Sequence, residues 1–466
     1  MRALIVADGC KEVAGMVRAG IIHPQFPRAV GSGADVAIRA AHRSEIISPK
    51  KAETSERDNQ IRSWCDKRPF PLALILKPMA VLKNIVVVGG SYCATYIIDD
   101  LAPRVYKTHH IIMIEKNSHM QHIFAFPRIS GVPGFAHKAF VPFTNAYHEA
   151  PRHSTSIIQG VVTAVLPDRV ILASGEEIPY EYLVMATGTG RLPLEMTTKV
   201  QSVRGFRELE DRVEAAQDIV VVGGGAFGIQ LAFDAKEFYP AKSVTLIHSR
   251  DQLLNRFHPK LHSIVQKRAA AIGINLILGQ RVKMSPNGFP VSGPAYHVEL
   301  TDGRRVPADV AISCVGAVPL SAPLLALSPS SVDPKTKFIL VKPTLQIADP
   351  AFPKVFSVGD VAATGANKAA APGYFQAAIA VQNIVNMIEG RKERVEYVPS
   401  VPGIHLSIGL HSYVTFYDPA APGEEPTFKF VELSDDEDSE EVRRWYECRC
   451  QLIWERRAPG VTDYYS

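Results

Sequence analysis

The sequence predicts an α/β fold in which one strand–turn–helix domain is inserted into another. Three glycine-containing segments, each following an apolar β-branched run, predict this arrangement: Gly89–Gly90, Gly223–Gly228 and Gly359–Asp360. The first two lead into helices, and the third returns the chain to the first domain. With 466 residues, 46% of them hydrophobic and 21% charged, the chain has the length of about two to four domains and a globular composition.

The first turn has the pattern of a dinucleotide-binding βαβ unit. Gly89 and Gly90 follow an apolar strand and precede a segment with helical apolar spacing. Glycine permits the tight turn, so that a pyrophosphate can lie on the helix N-terminus. In the pattern G-x-G-x-x-G/A, Ser91 replaces the second glycine and Ala94 stands at the last position. The alternative interpretation of this pattern is an ordinary buried βα turn that binds no dinucleotide.

Glu115 ends the next apolar run. Its separation from the first glycine of the turn is near the spacing of about 20 residues at which an acidic side chain accepts hydrogen bonds from the ribose hydroxyls of a bound dinucleotide. The aromatic segment after it would cross the isoalloxazine ring in a flavoprotein. Pro127 and Arg128 are therefore expected to contact that ring, with Arg128 holding negative charge on it. A salt-bridging arginine in a packed loop is the alternative.

Residues 157–189 alternate with period two and predict antiparallel strands that close on a buried strand. Val162, in the first of these strands, is predicted to contact the first dinucleotide. Thr187 and Gly188 are predicted to do the same at the end of the buried strand, in a segment that resembles the Ala-Thr-Gly junction of flavoproteins with two dinucleotide-binding domains.

A complete G-x-G-x-x-G pattern follows at Gly223, Gly225 and Gly228, between a buried strand and a helix. It predicts a second dinucleotide site. The strand 308–316 then resembles the second junction of the same superfamily and contributes Gly316. Cys314, in that strand, is interpreted as a small buried hydrophobic residue.

No carboxylate follows the second strand of this domain, where His248, Ser249 and Arg250 stand instead. A guanidinium pairs with a phosphate, whereas a carboxylate repels it. The sequence therefore predicts that NADPH is accepted at least as well as NADH. An Arg250 side chain that only faces water is the alternative.

The returning strand ends in Gly359 and Asp360, which places one carboxylate beside the first turn, where ribityl hydroxyls and the pyrophosphate edge would lie. A helix over 370–388 follows, and its N-terminal dipole would favour an anionic reduced ring. Lys368 and Gln376 are the polar groups expected near the exposed edge of that ring, and they are the candidate catalytic residues.

Composition excludes several classes of function. The formal net charge of +4 is too small to indicate a nucleic-acid partner. No apolar run of about 18 residues predicts a membrane span. The six cysteines have no metal-ligand spacing beyond one C-x-C, so we expect no metal and a reducing compartment.

Residues 83 to about 417 resemble the apoptosis-inducing-factor-like flavoproteins, most closely those of the ferroptosis-suppressor type and their fungal relatives, and more distantly type II NADH dehydrogenases. The matching segments are residues 86–94, 181–188, 223–228, 308–316, 355–360 and 376–384. The resemblance implies bound FAD, reduction by NADH or NADPH, and electron delivery to a quinone or another diffusible acceptor. It is compatible with peripheral membrane contact and leaves the oligomeric state open.

The domain assignment follows from these segments. Two Rossmann-like domains are expected, with the FAD-binding domain over 79–200 and 326–395, the NAD(P)-binding domain inserted at 201–325, and a small α+β domain and tail at 396–466. Residues 1–78 are predicted to be a poorly ordered extension. Asp8 and Glu12 lie within its first dozen residues, whereas mitochondrial presequences are poor in acids, so we expect a cytoplasmic protein.

Two other functions stay open. A flavin monooxygenase would share both glycine turns, although no further motif of that family is present. A flavin-binding signalling protein would show little turnover. A dithiol reductase is set aside, because Cys93 and Cys314 are the only cysteines between residues 83 and 430 and are far apart in sequence.

Overall fold

The computed structural model describes residues 82–190, 196–285, 288–433 and 444–465. The predicted N-terminal extension and the acidic run at 435–441 lie outside these residues. The strands before the insertion are β1 (Lys83–Val88), β2 (His109–Glu115), β3 (His119–Gln121), β4 (Phe140–Pro142), β5 (Thr155–Gln159), β6 (Val162–Val165), β7 (Arg169–Leu172), β8 (Glu177–Pro179), β9 (Tyr182–Met185) and β10 (Thr189–Gly190).

The strands of the insertion are β11 (Asp218–Val222), β12 (Ser243–Ile247), β13 (Asn275–Ile277), β14 (Tyr296–Glu299), β15 (Arg305–Ala308), β16 (Val310–Ser313) and β17 (Val318–Pro319). The remaining strands are β18 (Ile339–Leu340), β19 (Val355–Ser357), β20 (Ala362–Ala363), β21 (Gly403–Ser407), β22 (Ser412–Tyr417) and β23 (Thr427–Glu432). The helices are α1 (Tyr92–Val105), α2 (Phe126–Ile129), α3 (Lys199–Ala215), α4 (Ala226–Phe238), α5 (Pro259–Ile272), α6 (Ala370–Ile388) and α7 (Cys450–Arg457).

The first sheet is parallel and has the order β19-β9-β1-β2-β5. Strand β19 joins it only after the insertion, which confirms the predicted return of the chain. Helices α1 and α6 pack together on one face through apolar side chains such as Ile97, Leu101 and Ile384, all fully buried. Each such side chain stabilises the fold by about 1.5–3 kcal/mol. The antiparallel β6-β7-β8 sheet covers the other face, as the period-two pattern predicts.

The second sheet is also parallel, with the order β13-β12-β11-β16, and confirms the second dinucleotide-binding unit. The two units are joined where β10 pairs antiparallel with β17. The C-terminal strands β21-β22-β23 form a small antiparallel sheet whose buried side chains, among them Leu406, Ile408 and Phe416, complete the core around α4. The helices of the described residues lack the combination of length and hydrophobicity that a membrane span requires.

A charge cluster joins the amino ends of four neighbouring strands of the first sheet. Glu181 lies before β9 and accepts hydrogen bonds from Lys354 (2.6 Å), His109 (3.0 Å) and Lys83 (3.2 Å). Burial raises the pKa of Glu181, but the three hydrogen bonds outweigh this effect and lower the pKa to about 2. The cluster therefore stabilises the folded state while Glu181 is ionised.

Replacing Glu181 by Gln is expected to lower the free energy of unfolding at neutral pH by about 1–3 kcal/mol. Because the folded pKa is depressed, the contribution of Glu181 is complete above its ordinary pKa of 4.5 and is lost as the pH falls toward about 2. Denaturant unfolding as a function of pH measures this. Glu177→Gln is the control, since it removes only an exposed pair with Arg169. If the free energy of unfolding changed with pH in the same way in wild type and Glu181→Gln, the stabilising role of ionised Glu181 would be contradicted.

Candidate functional site

The first glycine turn joins β1 to α1 and has no room for a side chain. Gly89 has a φ of +113°, and a Cβ on it would lie 2.4 Å from the carbonyl oxygen of Ala186. A Cβ on Gly90 would lie 2.8 Å from Cγ of Glu115. Because neither position accommodates a side chain, a phosphate can approach the backbone closely at the start of α1.

The carboxylate of Glu115 lies against this turn. It accepts hydrogen bonds from the backbone N–H of Gly90 and from the backbone N–H (2.9 Å) and side-chain amide (2.6 Å) of Asn117. Burial raises the pKa of Glu115, and these hydrogen bonds oppose the rise. Sequence reasoning missed Asn117, which fixes the carboxylate beside the turn. The role of Glu115 toward a ribose stays a prediction.

The start of helix α1 is suited to an anion. Ser91 is the N-cap residue, but its hydroxyl makes no capping hydrogen bond to the helix. The first-turn amides are therefore not capped by this side chain, and together with the helix dipole they favour a negatively charged ligand. Ala94 is buried among the core residues of the first sheet, so its small side chain lets the helix lie close to the strands.

Strand β19 ends beside this turn and presents one carboxylate with open hydrogen-bonding capacity. Gly359 has a φ of +74°. Asp360 is partly buried, and its carboxylate makes no hydrogen bond to any residue that the structure describes. Burial raises its pKa, and nearby Lys368 opposes the rise. A partly buried carboxylate with no protein donor can accept hydrogen bonds from the hydroxyls of a ribityl chain, so Asp360 fits FAD.

The two candidate catalytic residues differ in their surroundings. Gln376 is buried; its amide oxygen accepts the N–H of Gly359 (2.8 Å), and its amide nitrogen donates to Thr364 (3.0 Å). Gln376 therefore holds the Gly359 turn in place, and its catalytic role stays a prediction. Lys368 donates to the carbonyl of Ala362, and its ammonium lies 4.4 Å from the ring centroid of Phe338. Burial lowers the pKa of Lys368, while Asp360 raises it.

Cys93 is a neighbour of the first turn that sequence reasoning did not assign. A Cβ on Gly359 would lie 3.0 Å from the sulfur of Cys93, and a Cβ on Gly373 would lie 2.6 Å from it. The thiol therefore lies between α1, the Gly359 turn and the start of α6. Burial, and secondarily Asp360, raise its pKa to about 12. The thiol is therefore protonated at neutral pH. The described residues contain no cluster of three or more side chains able to hold a metal ion.

The second glycine turn joins β11 to α4 and repeats the geometry of the first. Gly223 has a φ of +125°, and a Cβ on it would lie 2.6 Å from the carbonyl oxygen of Cys314. A Cβ on Gly228 would lie 2.0 Å from the oxygen of Gly223, whereas Gly225 is exposed and a Cβ on it would meet no atom within 4 Å. The turn therefore packs tightly on its sheet side and is open on its solvent side. Burial raises the pKa of Cys314 to about 12, which favours the protonated thiol.

His248 and Arg250 follow β12 at this turn. Nδ1 of His248 accepts the N–H of Gly224 at 3.0 Å, so the imidazole lies against the glycines. Arg250 is exposed. The structure thus brings His248 into direct contact with the second turn, and places the Arg250 side chain at the protein surface.

The predicted junction residues lie where the two units meet. The hydroxyl of Thr187 donates to the carbonyl of Leu320 at 2.7 Å, which ties the first junction to the chain after the second. Gly188 and Gly316 have φ of +66° and +71°, and no atom lies within 4 Å of a Cβ built on either. Val162 is buried in the core beside the first sheet. Their contacts with cofactors stay predictions.

The prediction that Arg128 stabilises a charged flavin is wrong. Its side chain is buried and pairs bidentately with Asp234 of helix α4, with both nitrogen–oxygen distances at 3.0 Å. The same guanidinium donates to acceptors in the C-terminal sheet and tail; these are Ser407, Gly409, Trp445 and Tyr446. Its five N–H donors are therefore occupied, and none is left for a cofactor.

His122 is buried and links the first turn to the tail. Its Nδ1 is hydrogen-bonded to the hydroxyl of Tyr92, the first residue of α1, and its Nε2 to the carbonyl of Cys448 (2.8 Å). Burial lowers its pKa to about 4, so the ring is neutral. The tail, which no sequence motif explains, is also fixed by Trp454, whose indole donates to the carbonyl of Lys138 (2.8 Å).

Comparison with known proteins agrees with this geometry. The family model of the pyridine nucleotide-disulphide oxidoreductases matches residues 83–383. The chain is 33% identical over 357 residues to Fe-regulated protein 8 of Mycosarcoma maydis, covering 70% of this chain and 87% of that protein. It is 28% identical over 346 residues to ferroptosis suppressor protein 1 of Xenopus laevis, covering 71% and 87%.

A solved structure shares the fold. The sulfide:quinone oxidoreductase of Aquifex aeolicus superposes with a TM-score of 0.63 at 19% sequence identity, covering 81% of this chain and 92% of that one. At this identity the similarity concerns the arrangement of the domains and not the substrate.

Replacing Asp360 by Ala is expected to weaken FAD binding roughly 10- to 100-fold, because hydrogen bonds that involve a charged group contribute about 1.5–3 kcal/mol. The flavin-to-protein ratio after gel filtration and the FAD dissociation constant measure this loss. Asp333→Ala is the control, since that carboxylate is only partly buried and accepts hydrogen bonds from its own loop. Full flavin occupancy and unchanged affinity in Asp360→Ala would show that another group holds the ribityl chain.

Replacing Arg128 by Met is expected to lower the free energy of unfolding by about 3–5 kcal/mol, because it leaves Asp234 buried without its partner. The double variant Arg128→Met/Asp234→Leu should recover part of this loss, since it removes both charges but leaves the carbonyl oxygens of Trp445 and Tyr446 without their donor. Denaturant unfolding of the flavin-loaded protein measures both.

A different outcome would restore the flavin-contact hypothesis for Arg128. In that case Arg128→Met would keep wild-type stability but change the reduction potential of the bound flavin. Lys138→Met is a suitable control, because its pair with Glu447 is only partly buried.

Proposed function

Because the chain belongs to the pyridine nucleotide-disulphide oxidoreductase family, we propose that it oxidises NADH or NADPH through bound FAD and passes the electrons to a quinone or another diffusible acceptor. The observation that carries the proposal is the pairing of two dinucleotide turns, each with a single buried thiol beside it, Cys93 at the first and Cys314 at the second. All four cysteines of the described residues, including Cys448 and Cys450 of the tail, are free thiols, so the described residues hold no disulfide for the flavin to reduce.

The residues assigned to each cofactor follow from the two turns. FAD, when bound, supplies the ring that accepts a hydride from the reduced nicotinamide and releases the electrons to an acceptor. The residues proposed to contact FAD are Gly89, Gly90, Ser91, Ala94, Glu115, Val162, Thr187, Gly188, Gly359 and Asp360. Those proposed to contact the pyridine nucleotide are Gly223, Gly225, Gly228, His248, Arg250 and Gly316.

The thiols near the two turns support a path without cysteine chemistry. Burial raises the pKa of both Cys93 and Cys314 to about 12, so neither is a thiolate at neutral pH. Each lies beside a different glycine turn. Hydride transfer needs two rings held in contact and shielded from water, which positioning alone can supply.

A quinone is the favoured acceptor class for two reasons. The ferroptosis-suppressor-type flavoproteins that the sequence resembles imply a diffusible acceptor of this kind. In addition, Phe124 is 48% exposed and lies 5.1 Å from the buried Tyr92 between ring centroids, so one exposed aromatic side chain lies beside the start of α1. A flat quinone ring can pack on such a side chain. We assign Lys368 to proton supply for the reduced acceptor.

An acceptor panel tests the proposal. Purified FAD-loaded protein is mixed with NADPH or NADH, and nucleotide absorbance is followed with ubiquinone analogues, menadione, ferricyanide and oxygen. We expect fastest turnover with quinones. A folded, FAD-loaded variant in which all six cysteines are replaced by serine should keep turnover within about twofold, because no thiol takes part.

Stopped-flow measurements separate the two half-reactions. Lys368→Met should slow flavin reoxidation by a quinone more than flavin reduction, whereas Lys342→Met, a lysine outside the site, should affect neither. Bound flavin that no acceptor reoxidises would contradict the proposal and favour a signalling role. Loss of activity in the flavin-loaded cysteine variant would contradict a thiol-independent path.

A further inference from the structure

Helix α3 leads from the first nucleotide-binding unit into the inserted one and contacts three parts of the molecule. At its start, the ammonium of Lys199 donates to the carbonyl of Tyr464 in the tail (2.7 Å). In its middle, the ring of Phe206 packs against Phe126 of α2, with 4.9 Å between the ring centroids. At its end, Lys242, which follows α4, donates to a carbonyl in the last turn of α3 (2.8 Å). The helix therefore lies at the junction of the two units and the tail.

A carboxyl group without a partner lies on the buried face of this helix. Glu210 is only 5% exposed, and its Oε1 is buried. The carboxyl group makes no hydrogen bond or ion pair to any residue that the structure describes. Tyr239, the C-cap residue of α4, is similar, because its hydroxyl is also buried and has no hydrogen-bond partner among the described residues. Hydrogen bonds from these two groups therefore do not hold the junction together.

The charged neighbours of Glu210 on its own helix do not stabilise it as a carboxylate. Burial raises the pKa of Glu210 to about 7. Arg207 opposes the rise and Asp211 adds to it, so their charges act in opposite directions. Both side chains are exposed, and water screens their effect on a buried group.

The titratable groups of the other elements at this junction do not supply a buried cation either. The end of α4 contributes Tyr239, whose pKa is raised by burial and then by Glu214, Glu210 and Tyr446 of the tail. Phenols carry no charge near neutral pH. The ammonium of Lys242 lies 4.2 Å from the ring centroid of Tyr239 and donates to the end of α3 instead of to Glu210. In the part of the chain that the structure describes, ionised Glu210 would be a buried charge without a donor.

The two protonation states of Glu210 therefore differ in their effect on packing. A neutral carboxyl group is tolerated in the interior, whereas an isolated carboxylate is strongly unfavourable there. Separation of α3 from α4 and the tail would let water solvate the carboxylate. We propose that Glu210 is a pH-sensitive switch that keeps α3 packed on α4 and the tail while it is protonated and favours opening of this junction when it is ionised. The inference goes beyond the proposed function, because it does not depend on hydride transfer.

Proton linkage gives the direction and size of the effect. Opening exposes Glu210 to water, where its pKa takes the ordinary value of 4.5, so opening releases a proton between pH 4.5 and about 7. Because the pKa of the closed state is raised, the closed junction is most favoured below pH 4.5. The equilibrium constant for opening should rise about tenfold per pH unit above that value, and should level off above pH ~7.

Hydrogen exchange of the FAD-loaded full chain tests this switch without requiring turnover. Peptides from α3 and from α7 report on the junction, and peptides from β1 serve as an internal reference. Rates are corrected for the intrinsic pH dependence of amide exchange. Between pH 5.5 and 8, protection of α3 should fall by roughly 20- to 30-fold in wild type, whereas protection of β1 should not. Protection of α3 that does not change with pH would overturn the proposal.

Replacing Glu210 by Gln separates ionisation from packing. The amide cannot ionise, so protection of α3 should become independent of pH over the same range. Glu208→Gln is the matched control, because Glu208 lies on the same helix but is exposed, and it should keep the wild-type pH dependence. A Glu210→Gln protein that keeps the wild-type pH dependence would contradict the assignment of the switch to Glu210.

A second variant covers the case in which the buried amide of glutamine prevents folding. Glu210→Leu removes both the charge and the polar atoms, and it should also abolish the pH dependence of α3 protection. Wild-type pH dependence in this variant would overturn the proposal. A protein that oxidises neither NADH nor NADPH but shows Glu210-dependent exchange would support the switch and contradict the proposed function, so the two failures are distinguishable.

Discussion

The buried pair of Arg128 and Asp234 is the interaction on which the arrangement of the two nucleotide-binding units depends. Arg128 belongs to the segment after β2, and Asp234 to helix α4 of the inserted unit, so the pair joins the two across the interior. The same guanidinium also binds the C-terminal sheet and tail. Hydride transfer requires a fixed distance between the two rings, and a fully bonded buried guanidinium supplies that rigidity without contacting either ring.

Both nucleotide turns are built on the same constraint. Gly89 and Gly223 have positive φ, and each lies against the carbonyl of a junction residue, Ala186 in the first unit and Cys314 in the second. A side chain at either glycine would collide with the neighbouring strand end. The chemistry of the site therefore arises from close backbone approach and from a few polar groups, of which Asp360 retains unused hydrogen-bonding capacity.

Local sequence patterns predicted the elements whose formation depends on residues close together in the chain. The two turns, the returning strand and helix α6, whose bounds of 370–388 agree with the prediction, all follow from apolar periodicity and glycine placement. The role of Arg128 did not, because its partners are far away in sequence and only the folded chain brings them together. The docking of the tail through His122 and Cys448 was missed for the same reason. The identity of His248 was evident from sequence, but its tautomer depends on the Gly224 contact.

The central claim is that electrons pass from the nucleotide to a single flavin and onward without a protein thiol. Anaerobic titration of the FAD-loaded protein with NADPH tests it most directly, because the flavin alone accepts two electrons, whereas a flavin with a redox-active disulfide accepts four. The account predicts that one equivalent of NADPH per flavin bleaches the flavin absorbance completely and that a second equivalent remains unoxidised. Consumption of two equivalents, or a flavin that NADPH does not reduce, would contradict it.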